Sequence, residues 1–207
     1  GVALARATQA AWMIGLTVVS LRRQRWREPA LFALVVATVG SVNATALILA
    51  GVGPLLWILH EVAFTREVRF RDAAKAVGRI GVLTVACSLW WLAGLWAQGG
   101  YGIDILRYTE TAETVATASL SIEVLRGLGY WFFYGDDRYG PWIAASGTYT
   151  TNIGVLAATF LTPLFGLLGL AAARFRERLF FALLLLSGLF LAVGAHPWDD
   201  GPPAVRG

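Results

Sequence analysis

The run ALFALVVATVGSVNATALILAGVGPLLWIL, Ala30 to Leu59, decides the topology of this chain. It contains no charged residue, and both of its flanks are basic: Arg22, Arg23, Arg25 and Arg27 before it, Arg66, Arg69, Arg71, Lys75 and Arg79 after it. Basic residues collect on the cytoplasmic side of a membrane, so both ends of the run belong on one side. A single straight helix cannot enter and leave on the same side, and the run must therefore fold back. Break signals lie at Gly40-Ser41-Val42-Asn43 and at Gly51-Val52-Gly53-Pro54. Two arms of about fifteen residues each reach about 22 Å, which predicts two short helices or a re-entrant hairpin with its tip outward. Asn43 at that depth faces a cavity, or bonds to a neighbouring helix.

Working outward, further candidate spans are Ala7 to Leu21, Ile80 to Ala97, Ile153 to Ala173 and Leu179 to Ala195. Arg174, Arg176 and Arg178 separate the last two and form a third inner cluster. With 57% hydrophobic and 14% charged residues and a mean hydropathy of +0.62, the chain has too little polar surface for a soluble domain of 207 residues. The expected fold is an all-α polytopic transmembrane bundle of about six crossings, counting the hairpin as two. Residues 1–207 read as one transmembrane domain in the plasma membrane, with 98–152 an extracytoplasmic segment carrying surface helices. The chain begins with Gly and shows no signal-peptide pattern, which reads as a fragment of a longer polytopic protein. The lone Cys87 lies in an apolar run and reads as a small core residue.

The outer segment carries Asp104, Glu110, Glu113, Glu123, Asp136 and Asp137 against Arg107, Arg126 and Arg138, an acidic balance opposite to that of the inner loops. Thr111 to Leu128 suits one or two short helices, with Val115, Leu120, Val124 and Leu125 as an apolar face and Gly127 or Gly129 ending them. The stretch IEVLRGLGYWFFYGDDRYGPW, Ile122 to Trp142, then sets an aromatic run beside a carboxylate pair and an arginine. Tyr130, Trp131 and Tyr134 suit a membrane-interface belt. A belt has no use for Asp136-Asp137-Arg138, whereas a site for a sugar or phosphate needs carboxylates and a guanidinium.

Soluble-enzyme motifs are missing: there is no phosphate-binding glycine loop, no HExxH, no paired CxxC and no nucleophile elbow. The basic residues sit in inner loops rather than on an aromatic platform, which argues against nucleic acid as a partner. No metal centre is assigned; His196, Asp199 and Asp200 are weak candidates for a divalent ion, one His and two acids being more often a solvated loop.

SVNATALILAGVGPLLW (Ser41 to Trp57), RYTETAET (Arg107 to Thr114), EVLRGLGYWFFYGDDRYGPW (Glu123 to Trp142) and AHPWDDGPP (Ala195 to Pro203) resemble the membrane region of the actinobacterial alpha-(1→3)-arabinofuranosyltransferases. Those are large C-type glycosyltransferases of the cell envelope. The resemblance implies a polyprenyl-phosphate arabinofuranose donor and an arabinan acceptor of arabinogalactan or lipoarabinomannan. It also implies a general base in the first outer loop of the complete protein, upstream of Gly1, so the catalytic residue is unassigned here. The remainder of the full-length protein is then a partner, and the fragment alone is expected to be inactive.

An inverting transfer needs a carboxylate for the acceptor proton and a cation for the departing lipid phosphate. Arg126 and Arg138 are the phosphate candidates. Glu110, Glu123, Asp136 and Asp137 are candidates for sugar hydroxyls, and Tyr130, Trp131, Tyr139 and Trp142 for stacking on sugar or lipid. Two rival readings remain: a transporter or flippase for a lipid-linked sugar, which usually shows repeated broken helices, and a non-catalytic membrane scaffold.

Overall fold

The computed structural model describes residues 2–40, 44–102 and 110–196. The chain is nearly all helical and divides into two compact units, Gly1–Ile103 and Asp104–Gly207.

In the first unit, α1 (Val2–Arg23), α2 (Arg27–Gly40), α3 (Ala44–Leu59) and α4 (Phe70–Gly99) follow one another. Helix α1 packs against both α2 and α3, and α2 packs against α4. Met13 and Leu16 of α1 are buried against Phe32 and Val36 of α2, with Leu47, Ala50 and Ile80 at the edge of the cluster. In lipid such contacts are held by close van der Waals packing.

The fold-back of Ala30 to Leu59 is visible in its ion pairs. Arg23, at the end of α1, lies 3.7 Å from Glu28 in the first turn of α2. The preceding Arg22 lies 3.6 Å from Glu61, just beyond α3. Helix α2 therefore leaves, and α3 returns to, the same end of α1. The helices part after Gly40, at the first of the two break signals; Ser41 to Asn43, including the candidate Asn43, lie outside the described residues. The second signal is overridden, because α3 runs on through Gly51 and Pro54. One proline deprives a helix of a single N–H, and an apolar run in lipid has no water to satisfy a backbone opened further.

Helix α3 ends in a widened π turn, His60–Phe64, closed by Thr65 N–H donating to the His60 carbonyl at 2.9 Å. The amides of Glu67 and Val68 then both donate to the Glu61 carbonyl, at 3.1 and 3.4 Å. At the other side of this junction Gln24 takes φ 54° just past α1, and its side-chain amide donates to the carbonyls of Leu21 and Asp72. Helix α4 has 30 residues, about 45 Å at helical rise, so its polar first turns extend beyond the apolar part that begins near Ile80.

In the second unit, α5 (Ala112–Ala118), α6 (Ser121–Leu125), α7 (Trp131–Tyr134), a two-stranded hairpin (β1, Asp136–Asp137; β2, Gly140–Pro141), α8 (Ser146–Thr151), α9 (Ile153–Ala172) and α10 (Arg178–Val193) follow in order. All six apolar segments expected from the sequence are helical. Among the described residues, Ala46–Phe64, Phe70–Gly99 and Ile153–Ala172 are long and apolar enough to cross a membrane, and Arg178–Val193 is apolar but shorter.

Candidate functional site in the 110–152 segment

Helix α5 is capped by Thr111, whose hydroxyl accepts from Thr114 N–H at 3.2 Å, so part of the RYTETAET motif is a helix start. The face turned inward differs from the expected apolar one. Val115 and Leu120 are exposed, while Ala116 and Ser119 are buried. Ser119 Oγ donates to the Val193 carbonyl at 2.9 Å, and His196 Nδ1 lies 2.9 Å from the Ala116 carbonyl. Small residues are needed there because the end of α10 approaches closely.

Helix α6 ends as the sequence predicts. Gly127 has φ 81°, its N–H donates to Val124, and Leu128 N–H reaches back to Glu123, the double closure that an αL glycine permits. This turn presents Glu123 and Arg126 together. Arg126 is 3% exposed and commits three donors: Nη1 to Glu123 Oε1 at 2.7 Å, Nε to Thr159 Oγ1 at 2.8 Å and Nη2 to the Tyr149 carbonyl at 2.8 Å. Its guanidinium also stacks over Phe160 at 5.3 Å. The other Glu123 oxygen accepts from the Tyr134 hydroxyl at 2.8 Å. Burial first, and then the bond to Glu123, push the Tyr134 phenol up from 10.0 to about 12. Tyr134 thus remains a donor at every physiological pH and fixes the carboxylate from the side opposite Arg126.

The DDRYGP turn forms the small hairpin, with Asp136 opposite Pro141 and Asp137 opposite Gly140. Asp137 makes it: Oδ1 accepts from Tyr139 N–H at 2.7 Å and Oδ2 from Trp142 Nε1 at 3.2 Å. The Trp142 ring then lies so close to Gly135 that an added Cβ there would clash with it. Trp131 meets Trp142 edge to face at 5.8 Å, and Phe132 packs on Trp142 at 5.1 Å. Asp136 is exposed, and exposed Arg138 stacks on Tyr139 at 4.7 Å.

These pieces line an open cavity of about 460 Å³, with Thr114, Thr117, Glu123, Trp131, Tyr134 and Trp142 among its walls. Of the residues singled out by sequence, Glu123, Trp131 and Trp142 line it. Arg126 and Asp137 stand behind it, holding Glu123 and Trp142. Glu110, Tyr130, Asp136, Arg138 and Tyr139 are exposed and outside the cavity lining. Asp104, Arg107, Asp199 and Asp200 lie outside the described residues, as does Asn43. Among the described residues no group of three or more His, Cys, Asp or Glu is placed to hold a metal ion. Tyr134, Thr114 and Thr117 line the cavity as well, with no local sequence signal that marks them for a sugar site. A tyrosine eleven residues from its acid has no helical or strand spacing to betray the pairing.

Residues 3–204 match the family model of the alpha-(1→3)-arabinofuranosyltransferase N-terminal GT-C domain. The chain belongs to that family. Searches of curated proteins and of solved structures returned no match. The family assigns the domain to membrane glycosyltransferases acting on arabinan. It agrees with the helical bundle seen here and with three described helices of membrane-crossing length and composition.

Proposed function

We propose that this arabinofuranosyltransferase domain binds arabinofuranosyl units in the cavity of the 110–152 segment, on the extracytoplasmic face, during inverting transfer from a polyprenyl-phosphate donor to arabinan. The observation that carries the reading is the cavity wall itself. Two indole rings, a carboxylate fixed by two donors and the hydroxyls of Thr114 and Thr117 combine apolar ring faces with hydroxyl-directed hydrogen bonding.

In the transfer, the acceptor hydroxyl oxygen attacks the anomeric carbon, the bond from that carbon to the donor phosphate oxygen breaks, and the lipid phosphate leaves with the electron pair. A carboxylate takes the hydroxyl proton. Glu123 is a poor candidate for that proton, since both of its oxygens already accept hydrogen bonds. It serves to orient sugar hydroxyls, and the proton goes to a different carboxylate. Arg138, whose described contact is ring stacking, keeps its N–H groups available for the leaving phosphate. Arg126 acts through Glu123 as a positioning residue.

The test fills the cavity without touching its supports. Thr117 is exposed on the rim, so Thr117→Trp should leave expression and folding of the full-length protein intact while raising the acceptor KM about tenfold, with Thr117→Ser, which keeps the hydroxyl, near parental. Parental transfer by Thr117→Trp would remove this cavity from the site.

A further inference from the structure

Where α1 ends, α3 widens into its π turn and α4 begins, the first unit holds another cavity, of about 490 Å³, lined by Arg22, Gln24, Glu61, Glu67, Arg69 and Asp72 among others. That volume is in the range of small-ligand sites. Two helices of membrane-crossing length and composition, Ala46–Phe64 and Phe70–Gly99, terminate at it. Phe64 and Phe70, at those two ends, are 54% and 76% exposed. A polar cavity is thereby set beside exposed aromatic rings at the level where apolar helices meet water.

Its carboxylates are not equally served: Asp72 is matched to Arg69 at 2.9 Å. Glu61 is the residue left short. Its side chain is 3% exposed, its Oε1 makes a long 3.6 Å contact with Arg22, and its Oε2 is buried with no hydrogen-bond partner. A buried carboxylate oxygen without a donor is costly, and the group that relieves it is a cation carrying N–H. The other half of the cavity favours an anion. Arg69 uses Nε on Asp72 and is otherwise 87% exposed, Arg22 is 55% exposed, and both stand near the amino end of α4, whose dipole attracts negative charge.

We propose that this cavity binds the headgroup of a phosphatidylethanolamine molecule, its ammonium on Glu61 and its phosphate on Arg69 and Arg22, with the acyl chains beside Phe64 and Phe70. The ligand carries both charges because the cavity does. It carries a primary ammonium because a trimethylammonium has no N–H for Oε2. It is a lipid because the exposed Phe64 and Phe70 rings, at the ends of the two helices that meet at the cavity, have no partner in a soluble headgroup.

The experiment uses the full-length protein, purified in detergent and delipidated, with short-chain phosphatidylethanolamine, phosphatidylcholine, phosphatidylglycerol and free phosphoethanolamine as probes. Binding is read by native mass spectrometry and by thermal shift. Phosphatidylethanolamine should bind about tenfold more tightly than either other lipid or the free headgroup. Glu61→Gln should erase its advantage over phosphatidylcholine, and Arg69→Gln, at an exposed position, should weaken it without impairing folding. Equal binding of phosphatidylcholine or phosphatidylglycerol overturns the proposal, and equal binding of free phosphoethanolamine overturns the lipid as its source. Should Glu61→Gln fail to fold, Arg69→Gln decides, and an undiminished affinity for phosphatidylethanolamine in that variant refutes the site.

Discussion

Replacing Arg126 by Lys separates a positioning role from direct phosphate binding. The guanidinium spans three acceptors that diverge from one planar fork: Glu123, Thr159 and the Tyr149 carbonyl, all at 2.7–2.8 Å. An ammonium on a single-point stem keeps the Glu123 pair and loses the other two. Hydrogen bonds to a charged group contribute about 1.5–3 kcal/mol each. Tyr149 is partly exposed, so water replaces some of that loss. The net cost is then about 2–4 kcal/mol, read as a lowered unfolding midpoint. The assay is thermal unfolding of the full-length protein in detergent, run beside arabinosyl transfer. A double-mutant cycle with Thr159→Val should return a coupling of about 1–3 kcal/mol, because the Arg126 Nε contact to Thr159 is one that Lys loses. An unchanged midpoint together with a large rise in donor KM would refute the reasoning and make Arg126 a phosphate ligand.

The two adjacent aspartates should behave differently. Asp137→Asn turns one of its two accepting oxygens into a donor, so it loses either Tyr139 N–H or Trp142 Nε1 and should lower both stability and transfer. Asp136→Asn should leave the unfolding midpoint alone and slow transfer by roughly tenfold if its carboxylate meets a sugar hydroxyl; parental activity would remove Asp136 from the site. Tyr134→Phe tests the raised phenol. Because the folded state holds that proton up to about 12 against 10.0 for the free side chain, the stability it contributes is complete below pH 10 and lost between about pH 10 and 12. The parent's advantage over Tyr134→Phe in an alkaline unfolding series should therefore shrink across that interval, and a constant difference would show that Tyr134 is not so perturbed.

The class, the six helical segments and the fold-back of Ala30 to Leu59 follow from sequence, because span length, basic flanks and the break after Gly40 are local or one-dimensional properties. The end of α6 at Gly127 was equally legible, since a left-handed residue closing a helix is a matter of neighbouring backbone. Pro54 was misleading because its cost depends on whether the lipid and the neighbouring helices leave the chain any alternative to continuing as a helix.

Charge usage was decided only in three dimensions. Asp136 and Asp137 are identical in sequence terms, yet the hairpin register spends one on Tyr139 and Trp142 and leaves the other exposed. Arg126 and Arg138 looked equivalent until α8 and α9 supplied the Tyr149 carbonyl and Thr159 to one of them. Glu28 and Glu61 were hidden in basic loops, and only the return of α3 to the end of α1 buried them beside Arg23 and Arg22. A residue's type sets which hydrogen bonds it can make, but the partners arrive from distant parts of the chain, and their arrival depends on packing that no local spacing records.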